Sequence, residues 1–285
     1  MNTKFDIILG YLRESDSATL PEISVPPIVS LCNGCLTLER GVPFSTTDQS
    51  AKSDLYFTPC NGNQIALHDG DEWTLRSFSE LSKSLAGTAA NTNYDVFIWD
   101  NSGTLELDLV AWANNTIRSI SLAVHDGIYV KSGALKYRYL GTIRTTPVAG
   151  QSEDSASRRF IWNYYNQITL EALISQSVTY GYTAAVWRES YAGSGMTRAE
   201  IVTGMPCILT PILGMYAGGS GYLYLSLDSP ANTWCGKLWS NGYLCCDVQL
   251  STSVSAGYHY ITYSEYSGGS MTVYAGFSSK VTYKG

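Results

Sequence analysis

The chain has 285 residues, of which 15 % are charged, with 18 basic residues and a formal net charge of −6. Its hydrophobic fraction is that of an ordinary globular protein, so it has the material for one large or two ordinary domains. Scattered basic residues on an acidic chain exclude a nucleic-acid footprint, and the same charge gives no attraction to anionic membranes. Arg158-Arg159 is the densest basic pair.

The first thirty residues read as an arm. Asp6 to Glu14 has the length for a turn or two of helix. Pro21-Glu22-Ile23-Ser24-Val25-Pro26-Pro27 then imposes an extended path, because proline fixes φ and restricts the residue before it. No stretch approaches the ~20 apolar residues of a membrane helix. The N-terminus lacks the length and cleavage site of a signal peptide, which points to synthesis in the cytoplasm. The seven cysteines are then expected as reduced thiols.

From residue 31 the pattern is β. Leu36–Glu39, Leu55–Thr58, Asn63–His68 and Trp73–Phe78 are predicted strands, separated by Gly41, Pro59, Asn61-Gly62 and Asp69-Gly70. Tyr94–Asp100 and Thr104–Trp112 flank the turn Asn101-Ser102-Gly103. Val124 to Val130 holds a second Asp-Gly turn, and Leu135–Arg144 follows. In 151–167 the spacing of Phe160, Trp162 and Tyr164 favours a strand with an irregular lead-in over a short capped helix. Beyond 168, strands are predicted at Leu170–Tyr182, Ala184–Glu189, Gly221–Leu227 and Gly257–Tyr266. The last is expected to turn at Gly268-Gly269 into a returning strand, Met271–Phe277, forming a terminal hairpin. Short strands at regular spacing predict a mainly β fold. The expected organisation is an arm at 1–30, a β-sandwich-like domain at 31–167 and a second β-rich domain at 168–285.

One ordered set of motifs carries a resemblance. It runs Leu36-Thr37-Leu38, Gly41-Val42-Pro43, Leu55-Tyr56-Phe57-Thr58-Pro59, Gly62 to Gly70, Trp73, Tyr94-Asp95-Val96-Phe97, Leu107 to Trp112 and Gln151 to Asn166. This resembles a family of tailed-bacteriophage and prophage virion proteins, found among tail-fibre, appendage, head-fibre and decoration proteins. The resemblance covers residues 36–166. It implies a virion component, a homotrimer or other cyclic oligomer, with other virion proteins as partners, and it brings no catalytic residues.

The chemistry-bearing residues point the same way. Gly236-Lys237 lacks the spaced glycine of a phosphate loop, and Gly218-Gly219-Ser220-Gly221 lacks nucleophile-elbow spacing and reads as a turn. His68 and His125 each precede an Asp-Gly turn, which suits a strand end facing solvent or bonding the turn. His259 lies between tyrosines and is expected at a surface or interface. Cys32-Asn33-Gly34-Cys35 has no second pair for zinc, since adjacent Cys245 and Cys246 point to opposite faces of a strand. A metal shared around a trimer axis is the alternative there. Asp69, Asp71 and Glu72 sit in a turn, and Glu106 and Asp108 share one strand face, whereas a glycosidase needs opposed carboxylates. No catalytic, cofactor or metal residue is therefore assigned.

The most suggestive feature is a run of aromatics: Tyr216, Tyr222, Tyr224, Trp234, Trp239, Tyr243, Tyr258, Tyr260, Tyr263, Tyr266 and Tyr274. Tyr222, Tyr224, Trp234, Trp239, Tyr243, Tyr258, Tyr260 and Tyr263 form the candidate contact surface. Aromatics serve cores, subunit interfaces and sugar or protein recognition alike. The expected role is a fibre or appendage mediating host contact or assembly, with a host surface glycan or protein as a further partner. The alternatives are a capsid head-fibre or decoration protein, and a polysaccharide-depolymerising or carbohydrate-binding tail protein.

Overall fold

The structure is a computed structural model. It describes residues 29–190, 198–212, 214, 216–230, 233–239 and 251–285, with 233–239 described in backbone only. The predicted arm lies almost wholly outside the described residues, as do Tyr243, Cys245 and Cys246.

The described residues are all β, with no helix among them. A six-stranded sheet forms the middle layer. Its order is Thr104–Ala111, Asn93–Asn101, Ala134–Arg144, Ile128–Lys131, Leu122–His125, with Ile161–Asn163 also on Ala134–Arg144. The Asp126-Gly127 turn works as its sequence requires. Both residues adopt positive φ (50° and 80°), which closes the hairpin between Leu122–His125 and Ile128–Lys131.

Both faces of the middle sheet are covered. On one side Val96, Ile98, Leu107, Leu140 and Ile143 pack against Leu36, Phe57, Ile65 and Leu67. These come from the sheet Gly34–Thr37, Asp54–Pro59, Leu81–Ser84 and the hairpin Gln64–His68, Trp73–Ser77. On the other side Phe97, Tyr139 and Trp162 join a core built from the second half, including Ile174, Ile201, Leu209, Ile261 and Val281. This explains the unbroken apolar run Val96 to Trp99: alternate residues enter different cores, so neither face can be polar throughout.

The second half supplies a four-stranded sheet, in the order Thr169–Gln176, Phe277–Lys284, Cys207–Ile212, Thr252–Val254. A larger sheet crosses the chain. It runs Gln49–Lys52, Ser152–Asp154, Arg158–Arg159, Ala199–Thr203, Gly257–Val273, Ala217–Leu227, Thr233–Trp239, with Tyr180–Tyr182 and Arg188–Glu189 also on Gly257–Val273. The pair joining the halves, Arg158–Arg159 with Ala199–Thr203, is parallel. The expected division at 167/168 thus runs through one continuous sheet and one shared core.

Three expectations are corrected. Gly268-Gly269 does not turn the chain, so there is no hairpin at this point: Gly257–Val273 is one 17-residue strand. The register against Ala217–Leu227 moves from Gly221↔Ser267 to Gly219↔Met271, so the glycines are absorbed as extra residues in a bulge opposite Ser220. Gly218-Gly219-Ser220-Gly221 is likewise strand and not a turn, because it pairs with that bulged segment. Leu170–Tyr182 breaks into Thr169–Gln176 and Tyr180–Tyr182, which join different sheets.

Two arginines, Arg138 buried and Arg118 half-buried, organise these layers. Arg138 is fully buried and donates from Nη1 to the carbonyls of Val29 (3.0 Å), Leu31 (3.0 Å) and Ala66 (2.6 Å). Its Nη2 donates to Ser30 O (3.1 Å) and its Nε to Tyr165 Oη (3.2 Å). The guanidinium therefore grips three consecutive carbonyls where the arm meets the body. Arg118 donates through Nε to Asp95 Oδ2 (2.7 Å) and through Nη2 to Gly204 O (2.5 Å). Thr142 Oγ1 donates to the same carboxylate at 2.7 Å, and the Arg118 guanidinium lies 4.4 Å from the Trp112 ring centre. Asp95 is 1 % exposed. This network sits in the seam between the middle sheet and the second half.

Candidate contact surface

The strands Ala217–Leu227 and Gly257–Val273 pair with Tyr222 opposite Tyr266, Tyr224 opposite Ser264 and Ser226 opposite Thr262. Residues directly opposite in a ladder share a face. One face thus carries Tyr222, Tyr224 and Tyr266, while Leu223, Leu225, Ile261 and Tyr263 enter the core. Trp187 completes the cluster, since the adjoining strand Arg188–Glu189 pairs with Glu265 and Ser264. Its ring centre lies 5.0 Å from Tyr224, 5.2 Å from Tyr266 and 6.0 Å from Tyr222.

The platform is partly open. Trp187 is 38 % exposed, and Tyr222, Tyr224 and Tyr266 are half-buried. A cleft of ≈ 400 Å³ opens beside it, lined by Trp187, Ser220, Gly221, Tyr222, Tyr266 and Gly268, with no charged side chain among these described residues. Burial, and then the neighbouring Tyr222, push the Tyr224 phenol above its ordinary range, so it stays a neutral donor. The support is tied together by buried hydrogen bonds. Ser226 Oγ and Ser264 Oγ are 2.6 Å apart, and Glu265, fully buried behind the platform, accepts from Arg188 Nε (2.7 Å) and Tyr180 Oη (2.6 Å).

The predicted contact residues divide into four groups. Tyr222 and Tyr224 are on the platform. Tyr258 and Tyr260 lie farther along the same strand face and are engaged by arginines: Arg144 sits 3.7 Å from the Tyr258 ring centre and Arg198 4.5 Å from that of Tyr260. Tyr258 also donates to Glu200 Oε2 (3.2 Å). Trp234 and Trp239 are on Thr233–Trp239, where only the backbone is described, and Tyr243 is outside the described residues. Tyr263 is not a surface residue: it is fully buried and donates to Gly214 O (2.7 Å), because it shares strand parity with Ile261. Trp187 is absent from the predicted set, since nothing in Val186-Trp187-Arg188 signals its proximity to tyrosines thirty-five residues later.

The remaining candidates are tied up locally. His68 is buried, and its Nδ1 accepts from Gly70 N (3.0 Å), so it bonds the turn and does not face solvent. The two His-Asp-Gly turns meet: the His68 and His125 rings are 4.9 Å apart, and Trp73 Nε1 donates to Asp126 Oδ2 at 3.0 Å. His259, expected at a surface or interface, is buried between Asp228 Oδ2 (2.8 Å) and Ser255 O (2.9 Å), because its strand parity points it inward with Ile261. Asp69 Oδ1 accepts the amides of Asp71 (2.9 Å) and Glu72 (3.0 Å), which hold its carboxyl below the usual range. Glu106 accepts from Asn101, and Asp108 pairs with Lys131 at 3.2 Å. Arg158 lies between Glu153 (3.1 Å) and Glu200 (3.5 Å), and Arg159 pairs with Asp154 (3.1 Å), so the basic pair is neutralised within its own sheet.

Cys32, Cys35 and Cys60 are free and buried. The thiols of Cys35 and Cys60 are hydrogen-bonded. Burial pushes the Cys32 thiol up to about 11 and Cys35 higher still. Among the described residues no group of three or more His, Cys, Asp or Glu is arranged to hold a metal. A thiol that ionises near 11 carries about a hundredfold less thiolate at neutral pH than an ordinary cysteine. Residue-resolved alkylation with iodoacetamide at about pH 7.5 is therefore expected to be at least about a hundredfold slower at Cys32 and Cys35 in the native protein than in the urea-unfolded chain. Comparable native and unfolded rates would refute their burial.

No protein-family model and no curated protein matches the chain. Solved structures overlap it weakly. The infectious bursal disease virus VP2 subviral particle aligns at 11 % identity over 85 % of this chain and 74 % of that chain, with a TM-score of 0.27. The structure of the Gx strain of the same virus aligns at 11 % identity over 85 % and 77 %, with a TM-score of 0.20. The insecticidal delta-endotoxin Cry8Ea1 from Bacillus thuringiensis aligns at 8 % identity over 89 % and 51 %, with a TM-score of 0.21. Overlaps this loose carry neither a fold assignment nor a function. No described helix is long and apolar enough to cross a membrane.

Proposed function

We propose that the protein is a structural component of a tailed-phage virion, a trimeric fibre or appendage that works by contact and has no catalytic role. The observation that carries the contact role is the Trp187, Tyr222, Tyr224, Tyr266 platform: four adjacent, partly exposed rings on one sheet face beside a cleft whose described lining is uncharged. Such rings offer wide contact area at low entropic cost. The virion assignment rests on the motif order across residues 36–166. The N-terminal arm fastens the protein to the particle and the second half faces outward or toward a neighbouring subunit.

Trp187→Ala is the direct test. Trp187 is already 38 % exposed, so its truncation is expected to leave the melting temperature within a few degrees. Binding of purified protein to host cells is expected to fall at least about tenfold, the usual cost of losing an aromatic anchor. Unchanged binding would remove the platform from host contact. Light scattering at micromolar concentration is expected to give a trimer mass, and a monomer would overturn the assembly. Immunogold labelling of particles with antibody to 168–285 separates the two locations: label at the tail supports an appendage, whereas label over the head makes it a capsid fibre or decoration protein.

A further inference from the structure

The cleft beside the aromatic platform sets the rings of Trp187, Tyr222 and Tyr266 around a floor of Ser220, Gly221 and Gly268. The two glycines are there for different reasons. Gly221 is required by packing, since a Cβ there would lie 2.6 Å from Tyr266 O and 2.7 Å from Met271 Sδ. Gly268 is required by neither backbone nor packing. Its φ is not in the left-handed region, and the one described atom within 4 Å of an added Cβ is Ser220 Oγ, at 3.7 Å. Bare glycine weakens a strand, and an exposed one at a bulge beside a cleft leaves room for something to approach the backbone. We infer that this cleft holds a sugar ring of a neutral glycan, stacked on Trp187 and seated over Gly268.

The inference rests on the platform being the contact surface and names what it contacts. Three features select the ligand. The rings offer flat apolar faces to the C–H side of a pyranose, and each carries one N–H or O–H at its edge for sugar hydroxyls. The described lining has no aliphatic side chain, so the apolar side chains of a peptide find no matching pocket. It has no charged side chain either, which leaves a uronate, sialate or phosphate without a counter-charge. Arg188, next to Trp187, is already engaged by Glu265 Oε1 at 2.7 Å and lies 4.0 Å from the Tyr182 ring centre. The cleft volume of ≈ 400 Å³ falls in the range of small-ligand sites, about 300–1,000 Å³.

The test uses the full chain on host cells, with the binding that Trp187→Ala removes as the signal. Periodate, which cleaves the vicinal diols of sugars, is expected to abolish that signal when the cells are treated beforehand. Glycans released from the cells are split by anion exchange into an unretained neutral pool and a retained acidic pool. The neutral pool is expected to compete for the protein and the acidic pool to leave binding unchanged. Gly268→Val is expected to lower binding at least about tenfold by filling the seat. Its melting temperature is expected to hold or rise by a few degrees, because valine suits a strand and no described atom crowds the position. A signal that survives periodate and is lost on protease treatment would assign the cleft to a protein partner, overturning the glycan while leaving the platform as a contact surface. Competition by the acidic pool alone, or by neither pool, would overturn the neutral glycan. Binding indifferent to Gly268→Val would overturn the seat. Cell binding indifferent to Trp187→Ala would overturn the platform itself, and this inference with it.

Discussion

Arg138→Leu is expected to destabilise the protein by about 3–5 kcal/mol, a large fraction of the roughly 5–15 kcal/mol by which native proteins are stable. Leucine fills part of the space but leaves the carbonyls of Val29, Ser30 and Ala66 and the Tyr165 hydroxyl without the donor they share. Hydrogen bonds to a charged group contribute about 1.5–3 kcal/mol each, and several are lost together. Arg138→Lys keeps the charge but not the planar fork that spans the Val29-Ser30-Leu31 carbonyls, so it is expected to recover only a minor part. Urea denaturation gives the free energy, and amide exchange gives the location, with protection lost first around residues 29–32 and 64–66. A loss below about 1 kcal/mol for the leucine variant would show that the guanidinium is a bystander.

Asp95→Ala should cost a similar amount, about 3–5 kcal/mol, because it leaves Arg118 in the seam without its counter-charge. Arg118→Ala strands the carboxylate and removes the donor to Gly204 O, one of the bonds between the first half and the second. The double variant is expected to lose less than the sum of the singles, with a coupling of about 1–3 kcal/mol. Additive losses would mean that the two side chains contribute independently. Gly204 allows this approach: a Cβ there would lie 2.1 Å from Tyr139 Oη and 2.5 Å from the Trp162 ring. Gly204→Ala is thus expected to open the seam, detectable as loss of cooperative unfolding.

The local β pattern was legible in the sequence because turns announce themselves. Asp126-Gly127 and Ser102-Gly103 take the positive φ that tight hairpin turns require. What failed was the identical inference at Gly268-Gly269, where flanking residues continue an alternating strand on both sides and the ladder against Ala217–Leu227 outweighs local turn propensity. The short pairings Gln49–Lys52 and Arg158–Arg159 carried no periodic signal, being four and two residues long. The platform was half legible. Tyr222 and Tyr224 follow from alternation, whereas Trp187 reaches them only through pairing with a strand seventy-seven positions later. Tyr263 shows the limit of counting aromatics: parity decides inside from outside, and it places Tyr263 with the core.

Trp162 is buried at the centre of the shared core, yet its indole donates to Lys284 O at 3.1 Å, and Thr169–Gln176 has Phe277–Lys284 as its ladder partner. During synthesis, residues 36–166 leave the ribosome well over a hundred residues before the strand that covers them. Ala172, Ile174, Ile201 and Leu209 reach Phe97, Tyr139 and Trp162 sooner, but the layer over them is completed only when Phe277–Lys284 arrives to pair with Thr169–Gln176 and Cys207–Ile212. At ribosomal speeds of about 5–20 residues per second this exposure lasts roughly ten seconds, long enough for a sticky nascent sheet to find another copy. The yield of folded protein is therefore expected to respond to chaperone supply during synthesis.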